Sequence, residues 1–298
     1  MPRVGFICPG GGHVLFAECL ASCRMGRRCL TKSTLTALSR TRPWTGKPST
    51  TQLIAPTRME YLKITNDYCV APPNMAFALL GSRVHLGLAD ADSDVSLLEE
   101  RFEEEDITGI ADCFEVEADE GILTDYKTWG SWRVARALGI VEKVVPDPTG
   151  AVYQRSGKGY VKGAPKMVKV YTIDPAQADN REAELQLNRY RLFFEDRGFP
   201  VNRMQIEVIV RDGNTWVARN RGITEPIYFI PVKRWDDTRV RAYFTAKALA
   251  LKSYLDKKEL PPPCTPDECW SGRRCRDYCP VLNFCGAGAS RVNAMEGV

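Results

Sequence analysis

Three residues near the middle of the chain have the types and spacing of a hydrolytic centre. Asp112 stands in the segment ITGIADCFEVE, and Asp125 stands in ILTDYKTW. Both acids are equidistant from a turn centred between Ala118 and Asp119, so antiparallel pairing would place their Cβ atoms about 4.5–5.5 Å apart. Two carboxylates at that separation repel each other unless a cation lies between them. Oxygen ligands suit Mg²⁺ or Mn²⁺, so the pair predicts a divalent-metal site.

Lys127 completes this candidate centre. It lies two residues beyond Asp125, which on a strand places both side chains on the same face. An ammonium group beside a bound metal would orient water and offset the charge that builds on a phosphate during hydrolysis. We therefore predict Asp112, Asp125 and Lys127 as catalytic residues in phosphodiester hydrolysis. A D-x-K tripeptide is common by itself, so this hypothesis depends on the motifs around it.

Four short motifs, in chain order, resemble those of the PD-(D/E)XK nuclease superfamily and its RecB-like exonucleases. These include the iron-sulfur nucleases of CRISPR adaptation and the AddB-type repair nucleases. The resemblance covers roughly residues 50 to 285, and the motifs are GSRVH, GIAD, DYKT and QLNRY. It implies metal ligation by His85, Asp112, Asp125 and the Tyr126 carbonyl. It also implies that Lys127 is the catalytic lysine, and that Gln186 and Tyr190, four residues apart on a helix, help to position DNA.

The sequence departs from the family at one place near the histidine. The family often has a glutamate a few residues after it, and here Leu88 and Ala89 stand there. A fourth acidic metal ligand is therefore left without a candidate. His85 itself lies in an apolar helical segment, where the alternative interpretation is a hydrogen-bonded core histidine.

Eight of the eleven cysteines form two quartets with the same spacing, C-x10-C-x3-C-x5-C. The N-terminal quartet is Cys8, Cys19, Cys23 and Cys29, and the C-terminal quartet is Cys264, Cys275, Cys279 and Cys285. Disulfides are disfavoured in a chain without an export signal, whereas four thiolates at short separations suit zinc or an iron-sulfur cluster. Cys69, Cys113 and Cys269 fall outside the repeat and are interpreted as small buried side chains.

The resemblance also bears on what the C-terminal quartet holds. Iron-sulfur members of the family end the nuclease domain with three clustered cysteines like Cys275, Cys279 and Cys285, and take a fourth from upstream of the histidine motif. Cys69 could be that fourth ligand, but the repeated spacing favours Cys264. The resemblance therefore implies a 4Fe-4S cluster at the C-terminal quartet. The N-terminal quartet is outside the family pattern, so iron-sulfur and zinc both stay open there.

The elements that must position these residues follow from the hydrophobic pattern. ITGIADCFEVE and ILTDYKTW predict a hairpin across ADEG, and SWRVARALG predicts a helix. Residues 50 to 90 and the acidic run SLLEERFEEED have helical patterns. A further helix is predicted from about Asn180 to Arg197, ended by Gly198. KMVKVYTI, MQIEVIVRD and EPIYFIPVK predict strands, and DTRVRAYFTAKALALKSYLDKK predicts a long helix.

These elements indicate an α/β fold with a mixed central sheet flanked by helices. The resemblance implies that this is a PD-(D/E)XK restriction-endonuclease-like core, and the two quartets predict cysteine-rich metal-bound segments at both ends. We predict an N-terminal four-cysteine module over 1–40, the nuclease core over 41–260 and the C-terminal cluster segment over 261–298. The chain has 298 residues and a net charge of +4, so a nucleic-acid partner must be bound by a local basic groove. The sequence contains no run of about 18 apolar residues, and a cytoplasmic protein without a membrane partner is expected.

The predicted function is a divalent-metal-dependent DNA exonuclease acting on single strands or DNA ends, in recombination, repair or phage DNA processing. A recombination or helicase protein would be its partner. Trp129, Trp132, Arg133 and Arg136 could stack on and neutralise a single strand, or form an amphipathic helix that packs on the core. The alternatives are a structure-specific endonuclease of the same fold and a non-enzymatic, zinc-containing nucleic-acid-binding protein.

Overall fold

The computed structural model describes residues 3–90, 96–104 and 106–296. Its strands are β1 Arg3–Ile7, β2 His13–Leu15, β3 Tyr68–Val70, β4 Ser96–Glu104, β5 Ile107–Glu117, β6 Glu120–Trp129, β7 Ile140–Pro146, β8 Met167–Ile173, β9 Arg203–Val210 and β10 Ile227–Pro231. Its helices are α1 Phe16–Ala21, α2 Lys32–Ser39, α3 Thr50–Ile54, α4 Thr57–Thr65, α5 Ala76–Ala89, α6 Ser131–Leu138, α7 Arg181–Glu195, α8 Trp216–Arg219, α9 Asp237–Lys257, α10 Arg273–Tyr278 and α11 Gly286–Glu296.

A five-stranded sheet with the order β10-β9-β6-β5-β4 forms the centre of the molecule. β6 and β9 run parallel, and the other neighbouring pairs are antiparallel. Helix α7 contacts β5, β6 and β9, while α5 contacts β4 and β6. The expected α/β class, with a mixed central sheet flanked by helices, is confirmed. Two smaller sheets, β2-β1-β3 and β7-β8, lie outside it.

The hairpin between β5 and β6 has the predicted register. Glu117 pairs with Glu120, and the two residues between them, Ala118 and Asp119, have φ angles of 49° and 66°. Positive φ at both central positions is typical of a type I′ turn, whose twist matches that of the flanking strands. A two-residue turn fixes every pair above it in the ladder. The placement of the two candidate acids therefore follows from the turn.

Close packing of α7 against β5 holds the core together at the site. Leu187 and Phe193 of α7 are fully buried. Gly109 of β5 lies directly under this helix, because a Cβ there would be 2.9 Å from the Tyr190 ring and 3.0 Å from that of Phe193. Any larger residue would push the helix away from the sheet. The glycine of the GIAD motif is thus explained by contact with the tyrosine of the QLNRY motif.

The acidic run SLLEERFEEED is a strand and not the predicted helix. Its residues from Ser96 to Glu104 form β4, which pairs along its length with β5. Leucine, glutamate and arginine favour helices locally, but sheet pairing and burial of Phe102 at 4% exposure override that preference. Glu105 lies outside the described residues. Much of the run's charge is paired, for example Glu104 with Arg189 at 2.8 Å.

Residues 50 to 90 are also not one helical region. A short strand, β3, separates α4 from α5 and pairs in parallel with β1 at the start of the chain. β7 was not predicted either, and it forms a hairpin with β8. The other predicted helices and strands are confirmed. In the part of the chain that the structure describes, no helix combines the length and apolar character that crossing a membrane requires.

Candidate metal and nuclease site

Asp112 and Asp125 face each other across the β5–β6 hairpin. Cys113 pairs with Thr124, so the next residues along the ladder, Asp112 and Asp125, are directly opposed. Both are buried, with exposures of 8% and 1%. The carboxylate of Asp112 accepts a hydrogen bond of 2.8 Å from the Tyr126 backbone N–H. The predicted juxtaposition of the two acids is confirmed.

A third acid, Glu99 on β4, extends this pair into a row across three neighbouring strands. It stands opposite Asp112, because the flanking pairs in the ladder are Leu98 with Cys113 and Glu100 with Ala111. Glu99 has a φ of 50°, a left-handed conformation that costs a non-glycine residue roughly 1–2 kcal/mol. Such backbone outliers persist where the surroundings impose them, and they cluster at functional sites.

His85 of α5 completes a set of three potential ligands. Its Nδ1 atom lies 3.3 Å from Glu99 Oε1 and 3.4 Å from Asp112 Oδ1. The ligand atoms of His85, Glu99 and Asp112 all lie within 4.8 Å of one another. The side chains of His85 and Glu99 are 29% and 37% exposed, so the site opens to solvent on this side. An imidazole with two carboxylates suits a divalent cation such as Mn²⁺.

Sequence analysis missed Glu99 because it assigned the acidic run to a helix. The signal was nevertheless present. If β4 is taken as a strand, counting back from its turn with β5 places Glu99 opposite Asp112. The same kind of counting, from the turn between β5 and β6, placed Asp125 opposite Asp112. Glu99 is therefore a third acid of the site, in addition to Asp112 and Asp125.

Asp125 is held from two sides. Its Oδ1 atom accepts a hydrogen bond of 2.9 Å from the Gln186 side chain on α7. Its Oδ2 atom forms an ion pair with Lys127, although this buried oxygen has no partner in good hydrogen-bond geometry. The Lys127 side chain is 25% exposed. Asp125 and Lys127 thus lie together on one face of β6, as predicted.

Gln186 and Tyr190 share one face of α7, as predicted. Gln186 donates a hydrogen bond to Asp125, and Tyr190 is buried at 3% exposure against Gly109. Burial raises the pKa of Tyr190, so the phenol is neutral. This face of α7 therefore lies against the Asp125 carboxylate. Within a strand, the N–H and C=O groups of one residue point to the same side. Because the Tyr126 N–H donates to Asp112, the Tyr126 carbonyl also points toward β5.

The electrostatics of the site favour a bound cation. Burial raises the pKa of Asp125, and the nearby charge of Asp112 adds to the rise while Lys127 opposes it. Burial would also raise the pKa of Asp112, but the hydrogen bond from His85 and the Lys127 charge hold it below its ordinary value. The same hydrogen bond raises the pKa of His85 to about 8. A cation among these groups would allow both acids to ionise, so the residues fit a divalent metal.

Comparisons with known proteins add little to this geometry. No family model and no curated protein matches the chain. Among solved structures, the one described as the crystal structure of SSO0001 is similar at 16% identity over 86% of this chain and 94% of that chain, with a TM-score of 0.37. A TM-score of that size does not establish a common fold. Function is therefore argued from the site alone.

Three thiols of the C-terminal segment lie near Cys264. Burial raises the pKa of Cys264 to about 11, and the nearby thiols of Cys275, Cys285 and Cys279 add to the rise. Cys69 lies elsewhere, on β3, and packs against Gly5 of β1. The structure therefore brings Cys264, and not Cys69, near the three clustered cysteines.

An exposed rim of arginine and aromatic side chains runs beside the end of β6. The Arg273 and Arg136 guanidinium groups lie 4.5 Å and 5.0 Å from the centre of the Trp132 ring, and Arg273 also lies 5.8 Å from that of Tyr278. Arg211 lies 3.5 Å from the ring centre of Phe77 on α5, and the Arg211 charge interacts with Tyr278. We call these residues the arginine–aromatic rim: Phe77, Trp132, Arg136, Arg211, Arg273 and Tyr278.

Two of the four residues that the sequence suggested for single-strand binding, Trp129 and Arg133, pack against the protein instead. Trp129 packs against the main hydrophobic core, with Arg133 stacked 4.3 Å from its ring centre. Arg133 also donates a hydrogen bond of 2.7 Å to the Asp179 carbonyl. Trp132, by contrast, is 41% exposed. Trp129, at the end of β6, therefore packs against the core, whereas Trp132, on α6, is exposed to solvent.

Glu99→Gln is expected to weaken Mn²⁺ binding by roughly tenfold or more while leaving the fold intact. The substitution removes one ligand charge but keeps the size and the backbone, and loss of single groups around metal sites typically costs about 10–100-fold in affinity. Isothermal titration with Mn²⁺ would measure the change. Glu100→Gln is the matched control, since it removes the same charge one residue along β4. Equal affinities for the two variants would show that Glu99 is not a ligand.

Proposed function

We propose that the chain is a divalent-metal-dependent DNA nuclease of the PD-(D/E)XK, RecB-like kind. The observation that carries the proposal is the row of Glu99, Asp112 and Asp125 across three strands, with His85 and Lys127 at its open side. Carboxylates, an imidazole and an ammonium group in this arrangement suit phosphodiester hydrolysis. The sequence motifs that resemble those of the family contain all of these residues except Glu99. They add support that is independent of the distances.

Each residue has a distinct role in the proposed reaction. His85, Glu99, Asp112 and Asp125 would hold Mg²⁺ or Mn²⁺, with the Tyr126 carbonyl beside them. The bound ion would lower the pKa of a coordinated water and offset phosphate charge. Lys127, which is paired with Asp125, would stabilise negative charge that develops on the phosphate. Gln186 fixes the orientation of the Asp125 carboxylate through its hydrogen bond.

The arginine–aromatic rim supports single-stranded DNA as the substrate. Proteins that bind single strands combine aromatic rings, on which bases stack, with cationic side chains that follow the backbone. The rim has both, and Phe77, Trp132 and Tyr278 are 63%, 41% and 56% exposed. Asp179 and Asp277 pair with Arg136 and Arg273, so stacking contributes more here than net positive charge. Trp132 lies on α6, which directly follows β6, the strand that carries Asp125 and Lys127.

Trp132→Ala is expected to lower single-stranded DNA affinity roughly tenfold. Stacking of one base on an aromatic ring contributes about 1–3 kcal/mol, and the ring is exposed enough to be removed without leaving a cavity. Fluorescence anisotropy of a labelled oligonucleotide, recorded with a chelator to prevent cleavage, would measure it. Phe229→Ala on the edge strand β10 is a suitable control, because Phe229 is 59% exposed and lies outside the rim. An unchanged affinity for Trp132→Ala would exclude the rim as the binding surface.

Cleavage of end-labelled linear single-stranded DNA with Mn²⁺ tests the proposed activity. We expect shortening of the strand that stops when the metal is chelated. Circular single-stranded DNA should stay intact if the enzyme requires an end, whereas its cleavage would favour a structure-specific endonuclease. Binding without any cleavage in either metal would favour a non-enzymatic nucleic-acid-binding protein. A helicase or a recombination protein that exposes single strands is the proposed partner.

The C-terminal quartet is proposed to hold a 4Fe-4S cluster with a structural role. The proposal follows from the resemblance of Cys275, Cys279 and Cys285 to the clustered cysteines of the iron-sulfur nucleases, with Cys264 near them as the fourth thiol.

A further inference from the structure

The first forty residues have too little apolar core to explain their ordered fold. Only Phe6, Leu35 and Leu38 are buried apolar residues in this segment's own cluster. Small segments with so few buried side chains usually need a crosslink or a bound metal. The Cys8, Cys19, Cys23 and Cys29 thiols are free, so disulfides do not provide it. A bound metal would add to the stability that pairing with β3 and packing against Met75 and Leu79 provide.

Two of these cysteines begin the same kind of turn. The N–H of Gly11 donates to the Cys8 carbonyl at 2.9 Å, and the N–H of Gly26 donates to the Cys23 carbonyl at 3.0 Å. Both glycines have left-handed backbones, with φ of 92° and 74°. Turns of this kind direct several backbone N–H groups into a concave surface that favours anionic groups, including iron-sulfur sites. The two turns thus prepare Cys8 and Cys23 to be held as thiolates.

Contacts bring together the segments that carry the four cysteines. The Cys8 sulfur lies 3.6 Å from the sulfur of Met25, two residues after Cys23. Arg24, next to Cys23, donates hydrogen bonds to the carbonyls of Gly12, at 3.1 Å, and His13, at 3.4 Å. Arg28, next to Cys29, donates a hydrogen bond of 3.2 Å to the carbonyl of Leu20, next to Cys19. The quartet therefore forms one group on β1, α1 and their connecting loops.

We propose that Cys8, Cys19, Cys23 and Cys29 hold a second 4Fe-4S cluster, separate from the C-terminal one. The identical C-x10-C-x3-C-x5-C spacing at both ends of the chain agrees with one type of cofactor at both.

This cluster would also stabilise the position of the helix that carries His85. β1 pairs with β3, which leads into α5. The apolar cluster around Phe6 includes Leu79, on α5 and six residues before His85, as well as Met75 just before the helix. Losing the N-terminal cluster would therefore loosen α5. The expected effect on metal binding at His85 rests on the proposed nuclease site. The expected iron content is independent of that proposal.

Iron, acid-labile sulfide and zinc should be counted per chain after anaerobic purification and reconstitution with iron and sulfide. For the wild-type chain we expect about eight irons and eight sulfides, and no zinc. Cys19→Ser and Cys275→Ser should each retain about four irons. Cys69→Ser, the control outside both quartets, should retain all eight. The wild-type count decides the number of clusters even if one variant fails to fold.

Two results would overturn the second cluster. One is about four irons with one zinc that disappears in Cys19→Ser, which would make the N-terminal site a zinc site. The other is about four irons with no zinc, which would leave the N-terminal quartet without metal. Separately, Mn²⁺ affinity should fall in Cys19→Ser and not in Cys69→Ser. If eight irons are found but no Mn²⁺ binds to either protein, the cluster stands and the nuclease site fails.

Discussion

Lys127→Ala and Asp125→Asn are each expected to lower the rate of DNA cleavage by roughly a thousandfold or more, because each removes electrostatic stabilisation of the reacting phosphate. Neither should disrupt the fold. The Lys127 side chain is 25% exposed, and an asparagine in place of Asp125 would keep the shape of the buried acid. Burial raises the pKa of Asp125, so its ionised form is disfavoured in the folded metal-free protein. Neutralising it should leave stability at pH 7 unchanged or higher.

Single-turnover cleavage, thermal melting and oligonucleotide anisotropy together separate these effects. Lys169→Ala is the matched control for loss of a lysine, because Lys169 is an exposed residue on β8 that pairs with Glu142. It should cleave DNA at the wild-type rate. Activity above about one hundredth of wild type in Lys127→Ala or Asp125→Asn, at the same metal concentration, would remove these residues from the catalytic centre.

The remaining ligands should give a graded series. Asp112 is the central acid of the row, so Asp112→Asn should lose metal and activity together. His85→Ala should be milder and should recover in part at higher Mn²⁺ concentration, since a neutral imidazole is one ligand among several. Its loss also removes the group that holds the pKa of Asp112 low. Wild-type metal affinity in the His85→Ala variant would exclude His85 as a ligand.

The parts of the site that could be predicted are those set by short-range rules. A two-residue turn determines the register of its hairpin, so the position of Asp125 opposite Asp112 followed from counting. The helical spacing of Gln186 and Tyr190 likewise determines that they share a face. Glu99 was missed because its segment has the composition of a helix, and only pairing with β5 makes it a strand. Local propensity is a weak guide wherever tertiary pairing supplies most of the stabilisation.

The arginine–aromatic rim shows a second limit. Its members come from α5, α6, α10 and the segment after β9, so residues up to about two hundred positions apart meet on one surface. No periodicity or motif in the sequence links Phe77 to Tyr278. The sequence did suggest Trp132 and Arg136, which are near each other on one helix. It could not show which of the two tryptophans, Trp129 or Trp132, would be exposed.

Cys275→Ser is expected to lower thermal stability and soluble yield sharply, and to reduce activity only in proportion to the folded fraction. Cys275 and Cys285 are buried, and Val281 between them is fully enclosed by the main core. A ligated cluster would therefore join the end of the chain to the main hydrophobic core. Losing one ligand removes metal-binding free energy that acts as folding free energy, on the order of several kcal/mol. Thermal melting and activity per folded molecule measure the two effects.

Cys269→Ser provides the sharpest comparison for that loss. Cys269 is buried near Cys275 and begins a turn ending at Gly272, whose φ is 98°, so it resembles Cys8 and Cys23 in its backbone. Its sulfur, however, donates to the Pro266 carbonyl at 3.5 Å and accepts from Arg291 at 3.3 Å. A serine hydroxyl can do both, so the substitution should cost about 1 kcal/mol or less and retain all iron. If Cys269→Ser loses iron and stability as Cys275→Ser does, Cys269 is a ligand and the repeated spacing does not define the cluster.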